Sequence, residues 1–147
     1  MSATNQFEND LLSLIFENIA AQNVGDASGL QPSGGAGSFF ASLHTDTLED
    51  ADTDQTQDES AYTSYARVAV ARSSAKWTVA AGNCSNDDAI TFPEATGGSE
   101  SVTDFGIGFA ASAAGYLQIF GVLGAALAIS NGIQAQFVAG QLDISLD

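Results

Sequence analysis

Cysteine and histidine are nearly absent from this sequence, and their scarcity excludes several classes of site. The single cysteine, Cys84, cannot form an intrachain disulfide, and there is no Cys-x-x-Cys motif for a metal or redox centre. The single histidine, His44, has no serine elbow or cysteine partner in a recognisable catalytic context. We therefore predict a protein that is not an enzyme and that has no cofactor, no catalytic residue and no metal site.

Basic side chains are equally scarce. Only Arg67, Arg72 and Lys76 oppose eighteen carboxylates, and the formal net charge is −15 at pH 7. Nucleic-acid affinity comes mainly from Lys and Arg neutralising phosphates, and a surface of this sign repels DNA, RNA and anionic membranes. We expect no nucleic-acid partner and no membrane partner. The three cations are either balancing surface charges or the complement of acidic surface on a neighbouring copy.

Long apolar runs preceded by basic residues are also missing. The most apolar part of the N-terminal region, residues 11–16, is flanked by Glu8, Asp10 and Glu17. This pattern argues against a signal peptide or a membrane-spanning helix. A chain of 147 residues is long enough to bury a hydrophobic core without disulfides.

The N-terminal residues have helical periodicity. Asn5 and Glu8 form a candidate capping pair, and the apolar spacing predicts an amphipathic helix from residue 5 to about 22. This helix docks either on its own sheet or on a partner. We take its apolar face and the three basic residues as candidate assembly contacts. These contacts are Phe7, Leu11, Leu14, Ile15, Ile19, Arg67, Arg72 and Lys76.

A segment rich in glycine and serine, residues 23–38, follows the helix and contains Pro32. Such a composition is typical of a flexible connection. We therefore expect two parts, an N-terminal helix and Gly-rich arm (1–38) and a β-sandwich domain (39–147). Deletion of residues 1–22 is expected to leave the β domain folded.

The rest of the sequence alternates between short apolar segments and turn residues, which favours strands. Gly82 to Asp88 and Asn131-Gly132 have turn chemistry. With no second helix for βαβ units, the pattern predicts a mainly β fold, an antiparallel β-sandwich or jelly roll with one N-terminal amphipathic helix. The predicted strands cover residues 39–44, 64–71, 76–80, 89–93, 102–109, 116–123, 125–129, 134–138 and 141–147.

Three of these strands carry more specific expectations. In 102–109, Phe105, Ile107 and Phe109 are expected to point inward, and the glycines between them leave room for another group to approach. Residues 116–123 are apolar on both faces, which predicts a central strand. In 141–147 the residues alternate, so that one face holds Leu142, Ile144 and Leu146 and the other holds Gln141, Asp143, Ser145 and Asp147.

An acidic loop between residues 46 and 59 invites comparison with a calcium site. Asp50, Asp52 and Asp54 match the first ligand positions of an EF-hand loop. However, Gln55 stands where the turn needs glycine, and Ala61 stands where a bidentate glutamate is needed. We therefore predict a solvated loop and no metal.

The order of segments resembles small tailed-bacteriophage virion proteins that are commonly labelled tail-fibre-like. The resemblance spans about residues 62 to 147 and extends more weakly over the whole chain; the long acidic loop and the Gly-rich segment depart from the family's pattern. The family implies no catalytic residues. The matching segments are Tyr65–Val70, Trp77, Ala89–Pro93 with Ala95-Thr96, Val102–Ile107, Leu117–Leu123 and Phe137–Asp147.

This resemblance implies a structural protein at the surface of a virion, and it leaves the position on the particle open. Because the chain has no heptads or repeats for a fibre shaft, we favour a capsid-surface decoration (cement) protein that bridges coat subunits. The alternative is a tail-tip or tail-fibre-base protein for host attachment, with Tyr62, Tyr65, Trp77 and Tyr116 as possible glycan contacts. A small glycan-acting enzyme is the third hypothesis. The expected partners are the major capsid protein or tail proteins, and a homo-oligomer is expected, with a trimer as one candidate.

Overall fold

The structure, a computed structural model, describes residues 2–146. It confirms the predicted class, mainly β with antiparallel strand pairs and one short N-terminal helix. Helix α1 (Asn5–Leu12) runs directly into a π-helical segment, Ser13–Glu17. The strands are β1 (Ser38–His44), β2 (Val68–Ala71), β3 (Trp77–Ala80), β4 (Asn83–Asn86), β5 (Ile90–Thr91), β6 (Ser99–Gly108), β7 (Leu117–Ser130), β8 (Gln136–Phe137) and β9 (Asp143–Ser145).

The helical region begins at Asn5, as the sequence predicts, but it ends at Glu17, before the predicted end near residue 22. Thr4, and not Asn5, is the N-cap, and its hydroxyl accepts a hydrogen bond from the backbone N–H of Phe7. Asn18 adopts the left-handed conformation, with φ of 58°, which ends the helical segment. Neither helical segment in the described part of the chain has the length and apolar character to span a bilayer.

The chain folds into two compact units, each built from segments that are separated in the sequence. The first consists of Met1–Gly37, Ala71–Ala89 and Phe137–Asp147, and the second of Ser38–Val70 and Ile90–Gln136. The sequence predicts a boundary at residue 38, between an N-terminal arm and a β domain that folds without it. This boundary stays a prediction.

The first unit contains a three-stranded sheet in the order β3-β4-β9. The helical region packs here, and the rings of Phe16 and Trp77 lie 4.8 Å apart between centroids. The segment 23–38, predicted to be flexible, is hydrogen-bonded at several points. Ala21 and Leu30 exchange backbone hydrogen bonds, and the Asn18 side-chain amide donates to the carbonyl of Ser33.

The middle strand of this sheet corrects the sequence prediction. Residues 82–88 were expected to form a turn, but β4 pairs antiparallel with both β3 and β9. The residues of β4 are polar and resemble a turn. They can form a buried strand because hydrogen bonds within the unit satisfy the side chain of the buried Asn86. The Asn86 amide donates to the carbonyls of Asp88 and Val138, and its oxygen accepts from the N–H of Leu142. Tertiary hydrogen bonds therefore make a central strand out of turn-like residues.

The strand predicted at 141–147 is shorter than expected, because β9 covers only three residues. Leu142 and Ile144 are buried as predicted, while Leu146 is half-buried. The expectation for Asp147 lies outside the described residues.

The second unit contains a four-stranded sheet in the order β2-β1-β6-β7 and most of a small β5-β8 ladder. In β6 the predicted inward face is only partly right. Ile107 is buried, but Phe105 is half-buried and Phe109 is exposed. Gly106 and Gly108 are themselves buried, because side chains from β1, β7 and the acidic loop press against their backbone.

Strand β7 also differs from its prediction. Residues 116–123 and 125–129 were expected to be two strands, the first of them central. Instead one strand of 14 residues forms the end of the sheet and pairs antiparallel with β6 alone. The pairing shifts between Val122 and Leu127, where Asp104 and Val102 are the partners, so a bulge lies within β7.

Candidate assembly surfaces

The helical region does not bury the face that the sequence selects. Leu12 and Phe16 are fully buried, as is most of Glu8, while Phe7 is 43% exposed and Ile19 47% exposed. The three buried side chains lie four residues apart and so share one face of the helix. The other predicted contacts, Leu11, Leu14 and Ile15, are half-buried. Of the five apolar candidates, Phe7 and Ile19 therefore offer the most surface to a partner.

Arg72 is committed to the end of the helical segment. Its Nη2 and Nε donate to the carbonyls of Leu14 and Ile15 at 2.8 and 2.6 Å. Its Nη1 donates to the carbonyl of Ala36 and the hydroxyl of Ser33. Carbonyls in the last turn of a helix lack intrahelical partners, and the guanidinium supplies them. The structure thus brings Arg72 together with two of the predicted helix contacts inside one unit.

Lys76 makes a much weaker interaction within the chain. Its ammonium group pairs with the carboxylate of Asp88, and both side chains remain largely exposed. Exposed ion pairs of this kind contribute roughly 0–1 kcal/mol. Lys76 is thus far more accessible than Arg67, whose side chain is 2% exposed.

Arg67 lies in the second unit, and its side chain is 2% exposed. Nε and Nη2 donate to the two oxygens of the Glu59 carboxylate, and the remaining bonds go to the carbonyls of Ala110 and Ala113. The hydroxyl of Tyr65 donates to the same carboxylate and accepts from the N–H of Leu43. Burial raises the pKa of Tyr65 far above its ordinary value. Four N–H groups of the guanidinium are thus used internally.

Glu59, the partner of Arg67, is not among the contact residues predicted from the sequence. It lies eight positions before Arg67, at the end of an acidic loop in which it is one carboxylate among seven. Hydrogen bonding to that carboxylate raises the pKa of Arg67, against the opposing effect of burial. The Arg67 guanidinium next to this carboxylate thus has acceptors for four of its five N–H groups.

The acidic loop binds its own backbone. The carboxylate of Asp54 accepts from the N–H and hydroxyl of Thr56 at 2.8 Å, which lowers the pKa of Asp54. The carboxylate of Asp52 accepts from the N–H of Glu49. Gln55, which breaks the EF-hand pattern, is fully buried. Within residues 2–146, no three His, Cys, Asp or Glu side chains converge on a point that could hold a metal ion.

His44 is buried on the sheet and held at both ring nitrogens. Nδ1 lies 2.7 Å from the carbonyl of Gln57, and Nε2 lies 2.9 Å from the hydroxyl of Ser42. The carbonyl requires a proton on Nδ1, so Nε2 accepts from the serine. Burial lowers the pKa of His44 below 6.5, although the hydrogen bond to Gln57 opposes this shift. Asp104, directly opposite in register, instead accepts from the N–H of Leu48.

Only one of the four aromatic residues proposed for glycan contact offers a largely exposed ring. Tyr62 and Trp77 are buried, and Tyr65 is half-buried. Tyr116 is exposed and stacks on Phe109 with a centroid distance of 5.9 Å. The sequence missed Phe109, because strict alternation in β6 placed its side chain inside.

One comparison with known proteins bears on the whole chain. The family model described as "Podophage GP4 fiber I protein gp80" matches residues 2–145. The matched range includes every helix and strand of the structure. No curated protein matches the chain.

Proposed function

The chain belongs to the family of the podophage GP4 fiber I protein gp80, and we propose on that basis that it is a non-enzymatic building block of a phage tail fibre or of the fibre's base. Membership confirms the predicted resemblance to tail-fibre-like virion proteins and the predicted location in the virion. The chain is thus a phage structural protein of a fibre family. Its position within the tail is our proposal.

The family description supports the alternative drawn from the sequence better than the first choice. We expected a capsid-surface decoration protein because the chain lacks a repeated shaft. A family described as a fibre protein gives that role no support. The missing shaft fits a subunit at the base of a fibre, where a folded block connects other virion proteins. The single observation that carries this proposal is the match over residues 2–145.

The environment of the two most reactive side chains supports a non-enzymatic role. His44 and Cys84 are both fully buried. Both nitrogens of His44 are hydrogen-bonded, and burial raises the pKa of Cys84 to about 12. A thiol with such a pKa is protonated at neutral pH and is a poor nucleophile. Neither group is poised for nucleophilic or general-base catalysis.

We propose that the protein is a homo-oligomer that also contacts other virion proteins. Of the candidate contacts, we assign attachment to Phe7 and Ile19, because both are large apolar side chains that remain exposed. Arg67 and Arg72 are less suited to this role, since their guanidinium groups already bind acceptors within their own units.

Immunogold labelling of intact particles tests the proposed position. We expect label at the tail, and phage that lacks the gene should have stable heads but impaired adsorption. Complementation with F7E/I19E should reduce incorporation of the protein, whereas Leu30→Glu, a change at a similarly exposed leucine, should not. Label on the head would overturn the fibre proposal, and hydrolysis of host polysaccharide by the purified protein would overturn the non-enzymatic one.

A further inference from the structure

Strand β7 has an open edge. It is the last strand of its sheet and has β6 as its one hydrogen-bonded neighbour there. At its start the N–H of Leu117 donates to the carbonyl of Thr53. From Gln118 to Ile129, no other described segment adds backbone hydrogen bonds along the second edge. Unpaired N–H and C=O groups along a strand are a template for pairing with another chain.

This edge lacks the residues that normally protect an edge strand. Natural edges carry lysines, prolines or inward-pointing charges that prevent pairing; β7 has none of these residues, and its one protective feature is the bulge between Val122 and Leu127. Val122 is 70% exposed, and the small residues of the bulge, Gly124 to Ala126, are exposed as well. An apolar strand of 14 residues is thus open both at its edge and on part of its surface.

The stretch of sequence that contains β7 carries no charge, and the nearest carboxylates belong to other segments: Glu100 and Asp104 on the β6 side, and Asp54 beside Tyr116. Residues 105–142 form the longest stretch of the sequence without a charged side chain, in a chain with a net charge of −15. Within the same stretch, Phe109 and Tyr116 stack at the surface next to the start of β7. All eighteen carboxylates lie outside this stretch. When the β7 strands of two copies pair along their open edges, neither strand therefore contributes a carboxylate.

We propose that β7 is a homotypic interface, in which the open edges of two copies pair antiparallel about a twofold axis. A strand paired with itself in this way is its own complement, as an isologous contact requires, and each copy supplies the backbone donors and acceptors that the other lacks. A second copy is the occupant that charge favours. Arg67, Arg72 and Lys76 all bind acceptors within the chain, so the carboxylate surfaces of two copies have little positive charge to attract them.

This interface would show how copies of the proposed fibre subunit associate. It rests on the proposed function in one respect, namely that the protein is a homo-oligomer. It joins two four-stranded sheets into one continuous sheet of eight strands. It also predicts an assembly with an even number of copies, whereas a simple trimer would contain an odd number.

Solution mass of the full chain and of a matched pair of variants tests the interface. The two changes are Val122→Glu on β7 and Val138→Glu, where the valine is 49% exposed and lies outside β7. In sedimentation equilibrium we expect an even-numbered assembly for the wild type and for V138E. V122E should weaken association at least about tenfold, because it would place one glutamate from each copy in a strand pair that otherwise carries no charge.

Single cysteine substitutions along residues 118–128 provide a second measurement that does not depend on V122E folding. Cys84 is fully buried and can stay in place. Mild oxidation should give disulfide-linked dimers at one or two neighbouring β7 positions, nearest the twofold axis, and none for Val138→Cys. A monomeric wild type, an odd-numbered assembly, equal effects of V122E and V138E, or no β7 crosslinking would each overturn the interface. None of these results alters the labelling of the particle, which tests the fibre role separately.

Discussion

Both oxygens of the Glu59 carboxylate accept hydrogen bonds from the Arg67 guanidinium, with Nε–Oε1 and Nη2–Oε2 distances of 2.7 Å. The same guanidinium donates to the carbonyls of Ala110 and Ala113. It therefore fastens the end of the acidic loop to the connection between β6 and β7. A planar fork of this kind matches a carboxylate in a way that lysine cannot.

Glu59→Gln should destabilise the fold strongly, because it leaves a buried cation without its counter-charge. Removing one partner of a buried pair costs about 3–5 kcal/mol, and we expect about 3 kcal/mol because Glu59 keeps some exposure. Urea unfolding followed by far-UV circular dichroism measures the loss. Asp88→Asn, in the exposed pair with Lys76, is the control and should cost less than about 1 kcal/mol. Equal losses for the two variants would contradict the structural role of Arg67.

His44 should make stability depend on pH. Because burial lowers its pKa in the folded state below the ordinary value of 6.5, the unfolded chain binds a proton more readily than the folded chain in this range. Unfolding then takes up protons, so stability is complete above about pH 6.5 and falls as pH drops below it. The urea midpoint of the wild type should decrease between about pH 7.5 and pH 5.5. His44→Gln should show a smaller decrease, and an identical pH dependence would refute the assignment.

Phe16 should be a core residue of the first unit. Phe16→Ala should cost about 3–5 kcal/mol, since the ring is fully buried against Trp77. Phe7→Ala makes the same chemical change at an exposed site and should cost less than about 0.5 kcal/mol. The single tryptophan reports unfolding through its fluorescence. If deleting residues 1–22 left this signal unchanged, the helical region would be a detachable arm after all, as the sequence first suggested.

Gly106 should be irreplaceable where Gly124 is not. A Cβ at position 106 would lie 2.6 Å from the Leu117 side chain and 2.8 Å from those of Ser42 and His44. Overpacking of this kind costs about 1–3 kcal/mol. A Cβ at position 124 meets nothing within 4 Å, so Gly124→Ala should be nearly neutral. Thermal unfolding of the two variants compares them directly, and a tolerated Gly106→Ala would show that the β1-β6-β7 packing is looser than described.

Several elements could be predicted from the sequence because their signals are local. The strand predicted at 39–44 matches β1 nearly to the residue, and the alternation of residues 141–147 placed Leu142 and Ile144 in the core. The existence of the N-terminal helix followed from apolar spacing alone. Its buried face did not, because that face is selected by packing of Phe16 against Trp77, which is distant in the sequence.

Composition and residue order were enough to assign the class of the protein: a β-rich chain with one helix, strongly acidic, and similar to phage virion proteins. The folded structure was needed to show which carboxylate binds Arg67, that Asn83–Asn86 is a central strand, and that β7 lies at an edge. These features depend on pairing between residues far apart in the chain. Such pairing is decided by hydrogen bonds and burial that no local pattern of residues encodes.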